Sequence, residues 1–481
     1  MKRFALLALA ALACLMARPA SAQPAIVEPV ALGDPWTADE IAAVQRDLDA
    51  LLGGAPALRG AHAGVLLVDA RTGATLYARN AEDEFQPAST FKLVVGSAAL
   101  ERLGEDYRFR TNASLTASGA LVVHGGGDPF LTLGDLDNLA LAVAQAGIKR
   151  LRGPLLIDSS RYDRKPYAPG WTWDDFTYDY AAKASALAVE ENVVHVHVWP
   201  AAVAGRPAKV SVDPPVIGVS SSIVTAARAG GADADVDPDP SGRLHLSGTI
   251  GLGASSHAID IAVNDPQAYV AKALALRLRA HGVALVRDLP PADLRTARET
   301  RRIWTHLSPP LSLMLPKFWI PSDNFVGEMF LKELGFVSAG RPGTTLAGIA
   351  YEKHWLRSLG LDLGSFTLAD GCGMSQYDRL TPRDLVGILQ HDWNAPYREI
   401  VLSALPVGGA RGTIEGIAGT PAAGRVFAKT GSMLHVRGLA GYLATQRHGA
   451  VTFAFSVDDW NGAYADLAAL RAAVLSRVIG D

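Results

Sequence analysis

Hydrophobic and polar positions predict matching pieces of one domain near the two ends of the chain. Thr37-Ala38-Asp39-Glu40 has the form of a capping box and opens an amphipathic helix running to about Leu52. Residues 64–70 and 74–78 are apolar or alternating runs joined by Arg71-Thr72-Gly73, the pattern of a β-hairpin. Gln86-Pro87-Ala88 ends the extended chain, and a helical pattern begins at Ser89 and continues to Leu103. Near the other end, residues 425–429, 438–445 and 451–457 predict three consecutive strands, followed by a helix from about Ala463 to Val478. Between these ends, about 230 residues separate Lys92 from Ser322, far more than one helical subdomain needs. Within that insert, 201–257 is rich in Gly, Ala, Asp and Val, with a loop-like stretch at 230–242 and alternating strands such as 244–246. It reads as a small β-rich module nested in a larger insert, and an amphipathic helix at 268–281 leads back out.

A hydrophobic fraction of 49% with 19% charged residues over 481 positions sustains one or more large cores and two or three domains. The net charge of −3 supplies no basic field, which excludes nucleic acid as a partner class. Lys2 and Arg3, the apolar run from Phe4 to Met16, and Ala20-Ser21-Ala22 before Gln23 predict a secretory signal peptide over residues 1–22. The run is shorter than the ~20 residues that span a bilayer, and its removal leaves Cys372 as the remaining cysteine. An exported chain of this kind is held by its core rather than by a disulfide, as suits a bacterial periplasm, with at most peripheral membrane contact.

The candidate chemistry lies in three short motifs: Ser89-Thr90-Phe91-Lys92, Ser322-Asp323-Asn324 and Lys429-Thr430-Gly431-Ser432. On a helix the first places a hydroxyl and an amine at i and i+3 on one face, so Lys92 can reach the proton of Ser89 without a histidine. Lys92 acts as a base only when neutral, a state favoured by desolvation and by a neighbouring cation, for which Lys429 is the candidate. Backbone N–H groups at a helix start, and that of Ser432, are the candidate oxyanion donors. Taken singly these motifs read as an N-cap, a turn and a strand end; their joint occurrence in this order reverses that reading. His195 and His197 alternate on one strand, but a third ligand at a telling spacing is absent, so no metal is expected.

The three motifs are the S-x-x-K, S-x-N and K-T-G set of penicillin-binding proteins and serine β-lactamases. The chain resembles the class C low-molecular-mass penicillin-binding proteins, the penicillin-binding-protein-4 type of D-alanyl-D-alanine carboxypeptidase/endopeptidase. The resemblance covers roughly the whole mature chain. It is carried further by Gly125-Gly126-Gly127-Asp128-Pro129, Pro169-Gly170-Trp171-Thr172-Trp173-Asp174-Asp175, Glu191-Asn192-Val193-Val194 and Ser308-Pro309-Pro310-Leu311. Asp370-Gly371-Cys372-Gly373-Met374-Ser375, Leu405-Pro406-Val407-Gly408-Gly409 and Gly412-Thr413 complete it. Cys372, Met374 and Ser432 depart from the family pattern without removing a reactive group.

The resemblance implies an α/β (α+β) fold: a β-lactamase-like transpeptidase domain, an antiparallel sheet flanked by helices, with a large β-rich nested insertion. It implies a catalytic domain split over 23–104 and 304–481, an inserted domain over 105–199 and 263–303, and a nested one over 200–262. By the same resemblance Ser89 is the nucleophile, Lys92 its base and Ser322 a proton relay to the leaving amine. Asn324 binds the substrate backbone, Lys429, Thr430, Gly431 and Ser432 hold a terminal carboxylate, and Asp174 or Asp175 binds the free amine of a stem-peptide diamino acid. The implied partners are peptidoglycan stem peptides and β-lactams as covalent inhibitors, with no cofactor. The alternatives are a β-lactamase, for which no deacylating glutamate motif is found, and a catalytically silent wall-binding protein, which needs neither Ser89 nor Lys92.

Overall fold

The predicted terminal strands pair into one antiparallel sheet of five, in the order Val426–Met433, Val436–Ala444, Ala450–Asp458, His62–Asp69 and Thr75–Arg79. The computed structural model describes residues 33–480 except 229, 287–297, 363, 365 and 366; the expected signal peptide lies outside the described residues. Leu66 faces Ala454 across the central pair, so the last strand to be made is zipped to the first. Because side chains alternate along a strand, the sheet feeds two cores. Val65, Leu67, Phe453 and Phe455 point to the terminal helices Ala38–Gly53 and Tyr464–Ile479. Leu66, Val68, Ala440 and Tyr442 point to the helices Lys92–Leu103, Leu311–Trp319, Asn324–Ala339 and Pro382–Asn394.

Local chemistry accounts for the element boundaries. Thr37 and Glu40 form both halves of the capping box, and Asp69 accepts hydrogen bonds from the N–H groups of Arg71 and Thr72 to close the hairpin turn. The strand bearing Lys429 extends to Met433, past the expected end at 429, so the whole Lys-Thr-Gly-Ser run lies in the ladder.

The helix Lys92–Leu103 is apolar nearly all round and is buried from Lys92 to Leu100, as such a sequence requires. Trp319 packs across it and donates its indole N–H to the Lys92 carbonyl at 2.9 Å. This is possible because residue 96 is glycine: a Cβ there would lie 2.4 Å from the Trp319 ring.

The insert builds a second core. Strands Glu299–Leu307, Arg110–Thr116, Leu121–His124 and Leu155–Asp158 form one sheet, against which helices Leu133–Gln145 and Pro266–Ala280 pack. A three-stranded sheet, His257–Ala262, Val193–Trp199 and Lys209–Asp213, crosses the boundary expected at residue 200, and Leu121, Val196, Ile250 and Leu274 share one core. The stretch 230–242, expected as loop, instead contains the strand Ala232–Pro238 paired with Leu244–Gly251. Its Ala-Asp alternation has low strand propensity, and the partner strand supplies the order that propensity does not. Within the three-stranded sheet, His195 bonds to Asp260 at 2.6 Å and His197 stacks on Trp199, each partner coming from the same sheet. Among the described residues no helix is long and apolar enough to cross a membrane.

The Gly96–Trp319 contact makes a prediction. Alanine at position 96 gains roughly 0.5–1 kcal/mol in helix propensity but overpacks a filled core, which costs about 1–3 kcal/mol. Gly96→Ala is therefore expected to lower the thermal transition measured by circular dichroism; an unchanged or raised midpoint would show that Trp319 can move aside.

Candidate active site

Ser89 lies in the 3₁₀ turn Ala88–Phe91, and the α-helix proper begins at Lys92. The turn is tight: Ala88 has φ +45°, and Thr90 donates both its N–H and its hydroxyl to the Pro87 carbonyl. The i, i+3 spacing survives the tighter winding, and Lys92 Nζ sits 2.8 Å from Ser89 Oγ.

Lys92 is fully buried, and its amine meets two further oxygens, Asn324 Oδ1 at 2.7 Å and the Cys372 carbonyl at 2.8 Å. Three elements far apart in sequence thus converge on one nitrogen. The two carbonyl oxygens can only accept, whereas the serine hydroxyl can also donate. A neutral Lys92 satisfies the same geometry by giving its two N–H groups to the carbonyls and its lone pair to the Ser89 proton.

The Ser322-Asp323-Asn324 turn is held from both sides. Ser322 adopts φ +68°, Asp323 caps the helix Asn324–Ala339 by accepting from the Val326 N–H at 3.1 Å, and Asn324 turns its Nδ2 to the Tyr180 carbonyl at 2.9 Å. Lys429, also fully buried, donates to Ser322 Oγ at 2.8 Å and to the Thr430 carbonyl at 2.9 Å. Thr430 Oγ1 is 2.6 Å from Thr413 Oγ1. Gly431 lets this strand run against the serine turn, since a Cβ there would stand 2.5 Å from the Pro87 carbonyl oxygen. Ser432 follows, paired with Arg437 on the neighbouring strand. One cleft therefore gathers Ser89, Lys92, Ser322, Asn324, Lys429 and Thr430.

Burial acts on both lysines. Burial pushes the Lys92 amine down, opposed by the nearby Cys372, Asp370, Asp323 and Glu328 groups. Burial pushes Lys429 down strongly, and the charge of Lys92 pushes it further. Two ammonium groups in one dry cleft disfavour each other, so the pair titrates as a unit.

Sequence reasoning left one part of the site unassigned. Asp370, fully buried, accepts from the N–H groups of Cys372, Gly373 and Ser375 at 3.0, 2.6 and 2.6 Å and from the Trp171 indole at 2.9 Å. It shapes the turn that presents the Cys372 carbonyl to Lys92 and ties the Trp/Asp segment of the insert to that turn. The signal was present as an Asp followed by a Gly-rich run that supplies three local donors, but the fourth, Trp171, comes from the insert.

Within the Trp/Asp segment, Asp175 is bonded to Thr172 Oγ1 at 2.5 Å and to the Tyr180 hydroxyl at 3.0 Å, while Asp174 is exposed. Glu328, Asp370 and Cys372 bring three candidate ligand atoms within 4.8 Å of one another. Backbone N–H groups already occupy the carboxylates, burial pushes the Cys372 thiol well up, and burial raises Glu328 to about 8. This donor set fits a hydrogen-bonded support for the turn better than a cation site.

Glu328 supplies a pH prediction. Its folded pKa of about 8 stands above the ordinary value of 4.5, so its contribution to stability is present in full below 4.5 and is lost as pH rises through 8. Glu328→Gln keeps the shape and cannot ionise. The wild-type transition temperature should fall relative to the variant across that window, as measured by pH-dependent thermal melts; parallel curves would contradict the assignment.

Comparison with known proteins supplies independent findings. Residues 44–476 match the model of the D-Ala-D-Ala carboxypeptidase 3 (S13) family. The chain is 34% identical over 427 residues to a D-alanyl-D-alanine carboxypeptidase from an Actinomadura species, covering 83% of this chain and 78% of that one. The fold is similar to that of penicillin-binding protein 4 from Haemophilus influenzae, with TM-score 0.79, 24% identity, and coverage of 89% of this chain and 98% of that one. The same protein complexed with a β-lactam matches at TM-score 0.75 and 24% identity, over 90% and 100% of the two chains.

Proposed function

The chain belongs to the D-Ala-D-Ala carboxypeptidase 3 (S13) family, and from that premise we propose that it is a serine D-alanyl-D-alanine carboxypeptidase that also cleaves D-alanyl cross-links. It acts on peptidoglycan stem peptides, is acylated by β-lactams, and works in the periplasm after export by the segment at 1–22. The observation that carries the reading is the 2.8 Å contact between Ser89 Oγ and the buried amine of Lys92. An amine held in that geometry by two pure acceptors is ready to take a proton when neutral.

Substrate supplies the condition for neutrality. A terminal carboxylate resting on Lys429, Thr430 and Ser432 draws the shared positive charge to Lys429, which leaves Lys92 free to act as base. Ser89 Oγ then bonds to the carbonyl carbon of the penultimate D-alanine as its proton passes to Lys92. The developing oxyanion is met by the N–H groups of Ser89 and Ser432. The carbon–nitrogen bond breaks, and the proton reaches the leaving amine through Ser322, which Lys429 orients at 2.8 Å. Water attacks the resulting ester, losing its proton to the same base, and Ser89 is restored. Asn324 holds the substrate backbone, and no step requires a metal or cofactor.

The domain plan read from the sequence is part of this proposal: catalytic segments 23–104 and 304–481, an inserted domain over 105–199 and 263–303 that contributes substrate contacts, and a nested one over 200–262. Of its two acidic candidates, Asp174 is favoured for the stem-peptide amine, because Asp175 is already engaged within its own turn.

Two experiments test the reading. Intact-mass spectrometry of protein incubated with penicillin should give one adduct, abolished in Ser89→Ala; an adduct that persists there would overturn the nucleophile. Asp174→Asn should slow cleavage of peptides with a free side-chain amine about tenfold, the worth of one charge-assisted hydrogen bond. It should spare the acetylated peptides, and equal losses in steady-state kinetics on both would assign Asp174 to structure instead.

A further inference from the structure

The helix Asn324–Ala339 buries two charged residues that the chemistry does not use: Lys332 and Glu333 are 1% and 0% exposed. They lie about two and a half turns beyond the Ser322-Asp323-Asn324 turn. Glu333 receives four hydrogen bonds, all from the insert. Arg161 donates its Nε–H to Oε2 at 2.8 Å and a terminal N–H to Oε1, Tyr162 donates its hydroxyl to Oε2 at 2.8 Å, and Tyr107 donates to Oε1. A carboxylate offers about four acceptor positions, and these donors fill them. The Arg161 guanidinium also lies 3.7 Å from the centroid of the Phe336 ring, one turn along the same helix. Lys332 donates to Asp163 Oδ1 and to the Lys165 carbonyl, the latter at 3.1 Å. Backbone bonds add to the joint: the Gly343 N–H reaches the Arg161 carbonyl at 2.8 Å, and the Asp163 N–H reaches the Gly343 carbonyl at 3.0 Å.

We propose that Glu333 and Arg161 are positioning residues for the peptide substrate: their buried pair fixes the insert segment 161–180 on the helix Asn324–Ala339 and so sets where the Trp/Asp turn stands over the cleft. From this anchor the segment runs along the catalytic domain through three further contacts. The Pro169 carbonyl accepts from Ser375 at 2.7 Å, Trp171 donates to Asp370 at 2.9 Å, and the Tyr180 carbonyl accepts from Asn324 at 2.9 Å. Asp174 and Asp175 lie between the last two. The helix that holds the anchor also begins with Asn324, whose Oδ1 is 2.7 Å from Lys92. One rigid element therefore carries an acceptor of the base at its start and the foot of the substrate arm farther on. A peptide that reaches from Ser89 to the arm spans both. A β-lactam, which needs Ser89, Lys92 and the strand of Lys429, does not.

The inference rests on the acyl-enzyme reading for its kinetic test, which compares two substrates of the same serine. Acylation by a fluorescent penicillin, and kcat/KM on a D-alanyl-D-alanine peptide with a free side-chain amine, are measured for wild type, Arg161→Lys and Tyr162→Phe. Arg161→Lys keeps the charge and loses the two-pronged contact. It should lower kcat/KM on the peptide about tenfold, carried by KM, and leave penicillin acylation within about twofold of wild type. Tyr162→Phe removes one donor and leaves the ion pair in place, so a smaller loss of the same kind is expected, and it keeps the test available if Arg161→Lys does not fold. Equal losses on both substrates, or no loss on the peptide, would overturn the proposal.

Amide hydrogen exchange, read by mass spectrometry, tests the anchor without any substrate. In both variants residues 161–180 should exchange faster than in wild type, while the helix Lys92–Leu103 keeps its protection. Unchanged exchange over 161–180 would overturn the positioning role even if the kinetics behaved as expected. Failure of wild type itself to take the penicillin label would instead refute the acyl-enzyme reading, leaving the exchange of this segment to decide the role of Glu333 and Arg161.

Discussion

The amine of Lys92 is fully buried, and a buried polar group left without hydrogen-bond partners is costly. Its amine must find three oxygens, and the chain draws them from three places: the serine one turn back, the start of the helix at Asn324, and the turn at Cys372. Each donor–acceptor distance lies between 2.7 and 2.8 Å, so none of the three elements can drift without leaving the buried amine short of a partner. The same condition explains the close packing behind the helix, where Trp319 fills the space over Gly96 and bonds to the Lys92 carbonyl.

Acidic groups are the counterpart of this buried amine. Asp370 spends its oxygens on N–H donors, while Glu328 and Glu352 nearby are driven toward their neutral forms by burial.

The insert reaches the acceptors of Lys92 at several contacts. Trp171 donates to Asp370, Ser375 donates to the Pro169 carbonyl at 2.7 Å, and the Tyr180 carbonyl accepts from Asn324. The first two reach the turn carrying the Cys372 carbonyl, and the last reaches the turn carrying Asn324. An insert of this kind contributes to the cleft's geometry as well as to its walls, because the acceptors of Lys92 are positioned in part by groups that lie outside the catalytic sheet and helices.

Several features were determined by sequence alone because they depend on residues close together in the chain. The capping box at Thr37 and Glu40, the hairpin at Arg71-Thr72-Gly73, the three late strands and the final helix follow from local periodicity and turn chemistry. The i, i+3 relation of Ser89 and Lys92 is likewise a property of a single helical turn, and it survives in the 3₁₀ winding actually adopted. Tertiary structure decided the rest. The strand at Ala232–Pro238 needed a partner that its Ala-Asp alternation does not announce. The acceptors of Lys92 and the bond from Trp171 to Asp370 join segments that only packing brings together. So too with charge: whether a lysine is cationic depends on the dielectric and on the neighbours it meets in three dimensions, and neither is written in the order of residues.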